Sequence, residues 1–405
     1  MKQLSKLMLA AVASVALAAP AFAWDFGASG SSTASFNSTS TKASKDATNT
    51  IASGGVTSSA SSLKLSSSHT DGPKSLSLSY TLDWDGNLDE TITLSGSSKV
   101  GDWTASGDVS YNRDRPGCYA TDNGTAASTA ATAGCQGQTG EDTTAVTVTD
   151  GTMTIKLGDA SHLSGQNVSS NGAAAGAVSF DAADDDASVG AFVGAFQGVS
   201  LGYKISDTMS ATVAYQASLD TADACGAGEA YDGEGASHGI TATGLGFSGT
   251  FGIASVGFTM CNAATADAGT ASVSPASTST ATSTMGIGVK LDLGDIDPFI
   301  SFGTYSAVGS VSKAGAAYAG NEVGLTYALG NDTVVFYIGS VTEIDTTGGV
   351  AGEAITKSGM ELGYNTMVGP ASLKVGYGSQ THAQTGGSTD GYSMTDIEVA
   401  MTYGF

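Results

Sequence analysis

Apolar side chains recur at every second position in short segments from near residue 74 to the last residue. Leu76, Leu78, Tyr80, Leu82 and Trp84 take alternate places, with Ser, Thr and Asp between them. Successive Cβ atoms of a strand point to opposite faces, so this spacing predicts a strand with one apolar and one wet face. The same reading covers Trp103, Ala105, Val109 and Tyr111; Met153, Ile155 and Leu157; Val199, Leu201, Tyr203 and Ile205; and Met209, Ala211, Val213 and Tyr215. It continues through Met285, Ile287, Val289, Leu291 and Leu293; Val323, Leu325, Tyr327 and Leu329; and Leu373, Val375 and Tyr377. Helical spacing fits none of these segments as well.

The connections alternate too. Short turns at Asp150-Gly151, Ser206-Asp207, Gly294-Asp295-Ile296-Asp297, Gly330-Asn331-Asp332 and Val368-Gly369-Pro370 join strand pairs. Long Gly/Ser/Thr/Ala connections at 113–142, 159–198, 218–237, 261–283, 306–319, 342–356 and 380–391 separate those pairs. Tight turns at one end and long loops at the other are the asymmetry of a transmembrane antiparallel β-barrel, an all-β fold, and a soluble sandwich has no reason to keep it. The pattern gives about 16 strands, or about 18 if residues 24–36 and 57–67 are both strands. The low-complexity stretch 37–56 is expected as a first outer loop. Ten aromatics near strand ends, Trp84, Trp103, Tyr111, Tyr203, Tyr215, Tyr305, Tyr327, Tyr364, Tyr377 and Tyr403, suit the two membrane boundaries.

Lys2 and Lys6, the apolar run Leu7 to Pro20 and Ala21-Phe22-Ala23 read as a signal peptide over residues 1–23, leaving 24–405 as one barrel domain. No later stretch is long and apolar enough for a spanning helix, so an exported chain of this kind is either soluble or an outer-membrane barrel.

Composition narrows the choice. The chain has 405 residues with 15 basic and 38 acidic side chains, a net charge of −23, and only 13% charged residues. Removal of residues 1–23 takes two lysines and leaves 13 basic residues against 38 acidic ones, a net charge of −25. A sequence pI near 4.1 leaves no basic face for nucleic acid. The 56 glycines show no collagen period.

Cys118, Cys135, Cys225 and Cys261 are expected in outer loops and suit an oxidising compartment. Three pairings are open, and proximity in sequence favours Cys118 with Cys135 and Cys225 with Cys261. His69, His162, His238 and His382 lie far apart, with no metal-ligand spacing. Asp83-x-Asp85-x-Asn87-x-Asp89 has the spacing of a calcium loop, but Leu88 and Leu94 stand where glycine and glutamate are required, leaving a tight acidic hairpin. No metal, no cofactor and no catalytic residue is therefore assigned, and the chain reads as a non-enzyme.

The last strand alternates Ile397, Val399, Met401, Tyr403 and Phe405 with Asp396, Glu398, Ala400, Thr402 and Gly404. It resembles the C-terminal signature of outer-membrane barrels, an aromatic third from the end and a terminal Phe, by which the barrel-assembly machinery recognises its clients. Gly151 to Asp159, followed by a long Gly/Asp-rich segment, is similar to the strand before the inward-folded constriction loop of the general porins of Gram-negative bacteria, especially the alphaproteobacterial type. Leu362-Gly363-Tyr364, a turn and Ser372 to Gly378 resemble that family's late hairpins, so the likeness runs over about residues 88–405. Two departures stand out: the family's wall arginines are missing, Arg113 and Arg115 being expected in an outer loop, and the region before residue 88 is longer than the family's first strand.

The resemblance implies an outer-membrane porin, a homotrimer in lipid passing ions and small solutes, with a constriction at Asp159, His162, Asp181, Asp184, Asp185 and Asp186. Acidic groups at a narrowing favour cations; a merely solvated loop cluster is the other reading. Lys156, Lys204, Lys290 and Lys374 fall at inward parity and are expected to pair with loop acids or to stand solvated. A structural or adhesive surface barrel with a blocked interior is the competing function, and conductance separates the two.

Overall fold

The computed structural model describes residues 25–42, 51–84, 88–115, 142–159, 197–219, 240–265, 281–308, 317–345, 353–384 and 392–405. They form 18 strands and, among the described residues, no helix long and apolar enough to cross a membrane. The first nine are β1 (Asp25–Lys42), β2 (Ile51–Asp71), β3 (Lys74–Trp84), β4 (Leu88–Val100), β5 (Trp103–Arg115), β6 (Asp142–Thr149), β7 (Met153–Asp159), β8 (Gln197–Ser206) and β9 (Met209–Leu219). There follow β10 (Ile240–Phe251), β11 (Ala254–Thr265), β12 (Ala281–Leu291), β13 (Ile296–Val308), β14 (Ala317–Leu329), β15 (Asp332–Asp345), β16 (Glu353–Val368), β17 (Ala371–Gln384) and β18 (Tyr392–Gly404). All belong to one 18-stranded sheet in which sequence neighbours pair antiparallel.

The larger strand count of the two expected is the one found. Residues 37–42 and 51–56 extend β1 and β2, so the stretch 37–56 is not simply a loop. Its Ser, Thr and Ala side chains carry no hydrophobic alternation, and the backbone pairs without it. Arg113 and Arg115 likewise sit on β5, in register with Glu90 and Leu88, rather than in a loop.

The chain divides into two compact units, residues 1–33, 58–150 and 403–405 in the first and 34–57 and 151–402 in the second. In the first, Leu76, Leu78, Ile92, Leu94, Val109 and Tyr111 stand exposed on one face. In the second, Met285, Ile287, Val323, Ile338, Leu362 and Tyr377 do the same. Apolar residues exposed in such numbers make sense only against lipid.

Short hairpin turns hold the register. Gly72 and Gly101 open the β2–β3 and β4–β5 turns with φ of 57° and 63°, the left-handed region that a Cβ disfavours. At the ends of the chain, Gly30 and Phe405 exchange both backbone bonds, N to O at 2.8 and 2.9 Å, as an antiparallel pair does. A Cβ on Gly30 would meet the Phe405 ring at 2.6 Å, so glycine is what lets the terminal aromatic lie flat there. Tyr403 stands beside it, ring centroids 6.2 Å apart.

Candidate functional site

Among the described residues most polar side chains gather on the face opposite the apolar one, and that face differs between the units. In the first unit three cross-strand rungs follow from the register. One runs Thr70, Ser75, Ser97, Ser106, Thr147. The next runs Ser68, Ser77, Ser95, Asp108, Ala145. The third runs Ser66, Ser79, Thr93, Ser110, Thr143. Every position but Asp108 and Ala145 is a hydroxyl residue. Ser75 and Ser97 are 2.7 Å apart and Thr93 and Ser110 3.0 Å, hydroxyl to hydroxyl. Ser75 and Ser77 are exposed and most of the remainder half-buried, so water reaches this face.

In the second unit the same face is buried. Gln216, Cys261, Ser301 and Val341 are inaccessible, and Phe299, Val335 and Tyr337 place apolar and aromatic bulk where the alternation suggested small polar residues. A Cβ on Gly324 would meet the Phe299 ring at 2.6 Å, which shows how that ring is accommodated. Three of the carboxylates on this face, Glu322, Glu361 and Asp396, are buried, each 2–3% exposed. The Tyr337 hydroxyl donates to Glu361 Oε2, Thr39 Oγ1 donates to Asp396 Oδ1 at 2.7 Å, and Glu322 stands in register with Ser301. A buried carboxylate needs such donors to offset its lost hydration. These wall acids escaped the sequence reading, although Glu322 sits at the wet parity next to Val323 and parity alone would have placed it.

Of the residues expected at a constriction, Lys156 lies on β7, half-buried, in register with Ser200. Asp159 ends β7 opposite Gln197. His162, Asp181, Asp184, Asp185 and Asp186 lie outside the described residues. Two of the four inward lysines pair within their own hairpins. Lys204 Nζ is 2.7 Å from Asp207 in the β8–β9 turn, and Lys290 Nζ is 3.4 Å from Asp297 across the β12–β13 turn. A carboxylate three residues away costs less chain ordering to reach than one in a distant loop. The Lys204 ammonium, by hydrogen bond and then by charge, holds the Asp207 carboxyl below its ordinary value.

Cys261 is buried on β11, not in an outer loop, because the alternation of Gly257, Thr259, Cys261 and Ala263 continues the strand past the expected boundary. Cys118, Cys135 and Cys225 lie outside the described residues. The acidic hairpin is present as read, with Asp83 on β3 in register with Asp89 on β4. No group of metal-ligating side chains gathers among the described residues.

No protein-family model matches the chain, and no curated protein matches it in sequence. Solved structures do match in fold. The anion-selective porin from Comamonas acidovorans superposes with a TM-score of 0.53 at 12% identity, covering 94% of this chain and 100% of that one. OmpF of Salmonella typhi, solved with daunomycin, superposes at 0.50 and 11% identity, covering 94% of this chain and 97% of the other. OpdL of Pseudomonas aeruginosa gives the same TM-score and identity, covering 94% of this chain and 99% of that one. The fold is that of the bacterial outer-membrane porins. The all-β architecture is therefore a transmembrane antiparallel barrel of 18 strands, and the apolar face of the sheet is its outer surface. In a porin fold the hydroxyl rungs of β2–β6 face inward.

Proposed function

We propose that the chain is an outer-membrane porin, a water-filled channel for passive diffusion of ions and small hydrophilic solutes. The observation that carries this reading is the pairing of an apolar outer face with a wetted polar inner face over β2–β6, hydroxylic along three rungs and charged at Lys64, Asp83 and Asp89 beyond them. Such a wall hydrates a passage without binding any one solute tightly. Residues 1–23 export the chain, Tyr403 and Phe405 mark it for the barrel-assembly machinery, and the protein works as a homotrimer in outer-membrane lipid. Cys118 pairs with Cys135 and Cys225 with Cys261.

The channel prefers cations. The net charge of −25 left without residues 1–23 supports this less than acids at the narrowing would, since charge further than a Debye length of about 8 Å from the pore axis is screened at physiological salt. Asp159, Asp181, Asp184, Asp185 and Asp186 are the groups proposed at the narrowing, and a low-dielectric wall focuses their field. The reversal potential in a KCl gradient tests it. Wild type is expected cation-selective, and D184N/D185N/D186N should shift the potential towards zero. An anion-selective wild type overturns the preference and leaves the channel itself standing.

The buried polar face of the second unit favours a second reading, a surface barrel whose interior is too filled to conduct. Folded protein that never conducts would decide for it.

A further inference from the structure

On the lipid-facing side of the first unit an open groove of about 590 Å³ lies over His69, Leu76, Gly96, Gly107 and Val146, which the register sets side by side across five strands. One rung nearer the turns stand Asp71, Lys74, Ser98 and Ala105. We infer that this groove is the seat of one phospholipid with a phosphoethanolamine headgroup, its phosphate held by Lys74 and its ammonium by Asp71. Such a seat requires the barrel fold and not an open channel.

Leu76 and Val146 are exposed and wall the groove on either side of the two glycines, which leave its floor bare. The strands do not demand glycine there. A Cβ on Gly96 would come no closer than 3.6 Å to the Ser75 carbonyl oxygen and one on Gly107 no closer than 3.7 Å to that of Ala145, both ordinary contacts, unlike the 2.6 Å clash at Gly30. Bare backbone lets a neighbour approach closely, and lipid is the neighbour this face meets. Apolar packing gives no preference among lipids, because their tails are as apolar as the wall, so selection falls to the headgroup. The groove ends at the β2–β3 turn, one of the tight turns that an outer-membrane barrel sets at the periplasmic boundary, and Trp103, beside the β4–β5 turn, is exposed. Asp71 and Lys74 are exposed partners in register, and no ion pair joins them among the described residues. One positive and one negative group at headgroup depth complement a zwitterion. An acidic chain with Asp71 at the groove's end repels an anionic headgroup instead. A primary ammonium offers three N–H donors to the Asp71 carboxylate, whereas a quaternary choline ammonium offers none.

The test is native mass spectrometry of the full chain, purified in detergent, with dioleoyl phospholipids bearing ethanolamine, choline or glycerol headgroups. Wild type should retain the ethanolamine lipid about threefold or more over the choline lipid, as a partly solvated ion pair gives, and should hold the glycerol lipid least. D71N should bring ethanolamine retention down to the choline level. K74Q should weaken both alike, because both lipids carry the phosphate. Each changes one exposed residue beside the turn, and the heat-modifiable gel band confirms that the variants fold. Gly96→Leu, which fills the floor, should lower retention of every lipid and leave the oligomer mass as it is. Equal retention of ethanolamine and choline lipids by wild type overturns the inference, as does a preference that survives D71N or tighter binding of the glycerol lipid. A Gly96→Leu protein that keeps its lipid but loses oligomer mass would give the groove to a second copy of the chain, which overturns it too.

Discussion

Phe405 is the residue on which the ends of the chain depend, because its backbone exchanges two bonds with Gly30 and its ring occupies the space a Gly30 side chain would fill. An aromatic lying over a glycine in a neighbouring strand shields that backbone and fixes the pairing. Gly30→Leu should therefore reduce the fraction of protein that migrates as a compact, heat-modifiable band, while Gly27→Ala, three residues earlier on β1 where a Cβ meets the Ser66 hydroxyl and not the ring, should reduce it less. Equal loss in both would remove the ring from the account. Lys204 and Asp207 make the opposite case. The lowered Asp207 pKa means that any contribution of the pair is full above the ordinary carboxylate range and is lost as pH falls from there through the lowered value. Both partners are solvated, the aspartate almost fully, so Asp207→Asn should leave the denaturation midpoint unchanged at neutral and acid pH alike. At this scale the sequence was partly legible. The terminal Phe and its alternating strand were visible, but the glycine beneath it was one of 56, and only pairing singles it out.

At the scale of the strand, one residue decides which side of the membrane wall a side chain meets. Leu94 and Ser95 are neighbours on β4, the first 47% exposed on the apolar face and the second on the hydroxyl face. Leu94→Lys should cost about 2–4 kcal/mol in lipid vesicles, as a cation at mid-bilayer does, and Ser95→Lys much less. Chemical denaturation of the two variants checks this, and the reverse order would mean the faces are exchanged. Strands rich in Leu, Tyr and Trp could be read directly because apolar and polar residues alternate by chemistry. The ends of β1, β2, β11 and β13 could not, since Ala, Gly, Ser and Thr on both faces leave no contrast for a period to appear in. The same lack of contrast put Cys261 in a loop. If Cys225 is its partner, the disulfide ties the β9–β10 connection to β11 and constrains the unfolded chain by about 3 kcal/mol. Peptide mapping without reductant should recover Cys225–Cys261 and Cys118–Cys135, and crossed partners would refute the pairing.

The polar face of the first unit is wetted and rich in hydroxyls, and that of the second is packed with Phe299, Val335 and Tyr337 beside buried carboxylates. The parity of turns and loops makes the barrel legible in the sequence, whereas this difference between the units is not, because burial depends on what packs against a strand and not on its own alternation. The trimer rests on the likeness to general porins. Light scattering of detergent-extracted protein should give three times the chain mass, and a clean monomer would remove it. The claim on which the rest depends is that the barrel conducts. Purified, heat-modifiable protein added to a planar bilayer in symmetrical KCl should insert in discrete steps of uniform, ohmic conductance. Protein that is folded by the same gel test and incorporated into the bilayer, yet leaves the current at its baseline, would contradict the account and leave a closed surface barrel in its place.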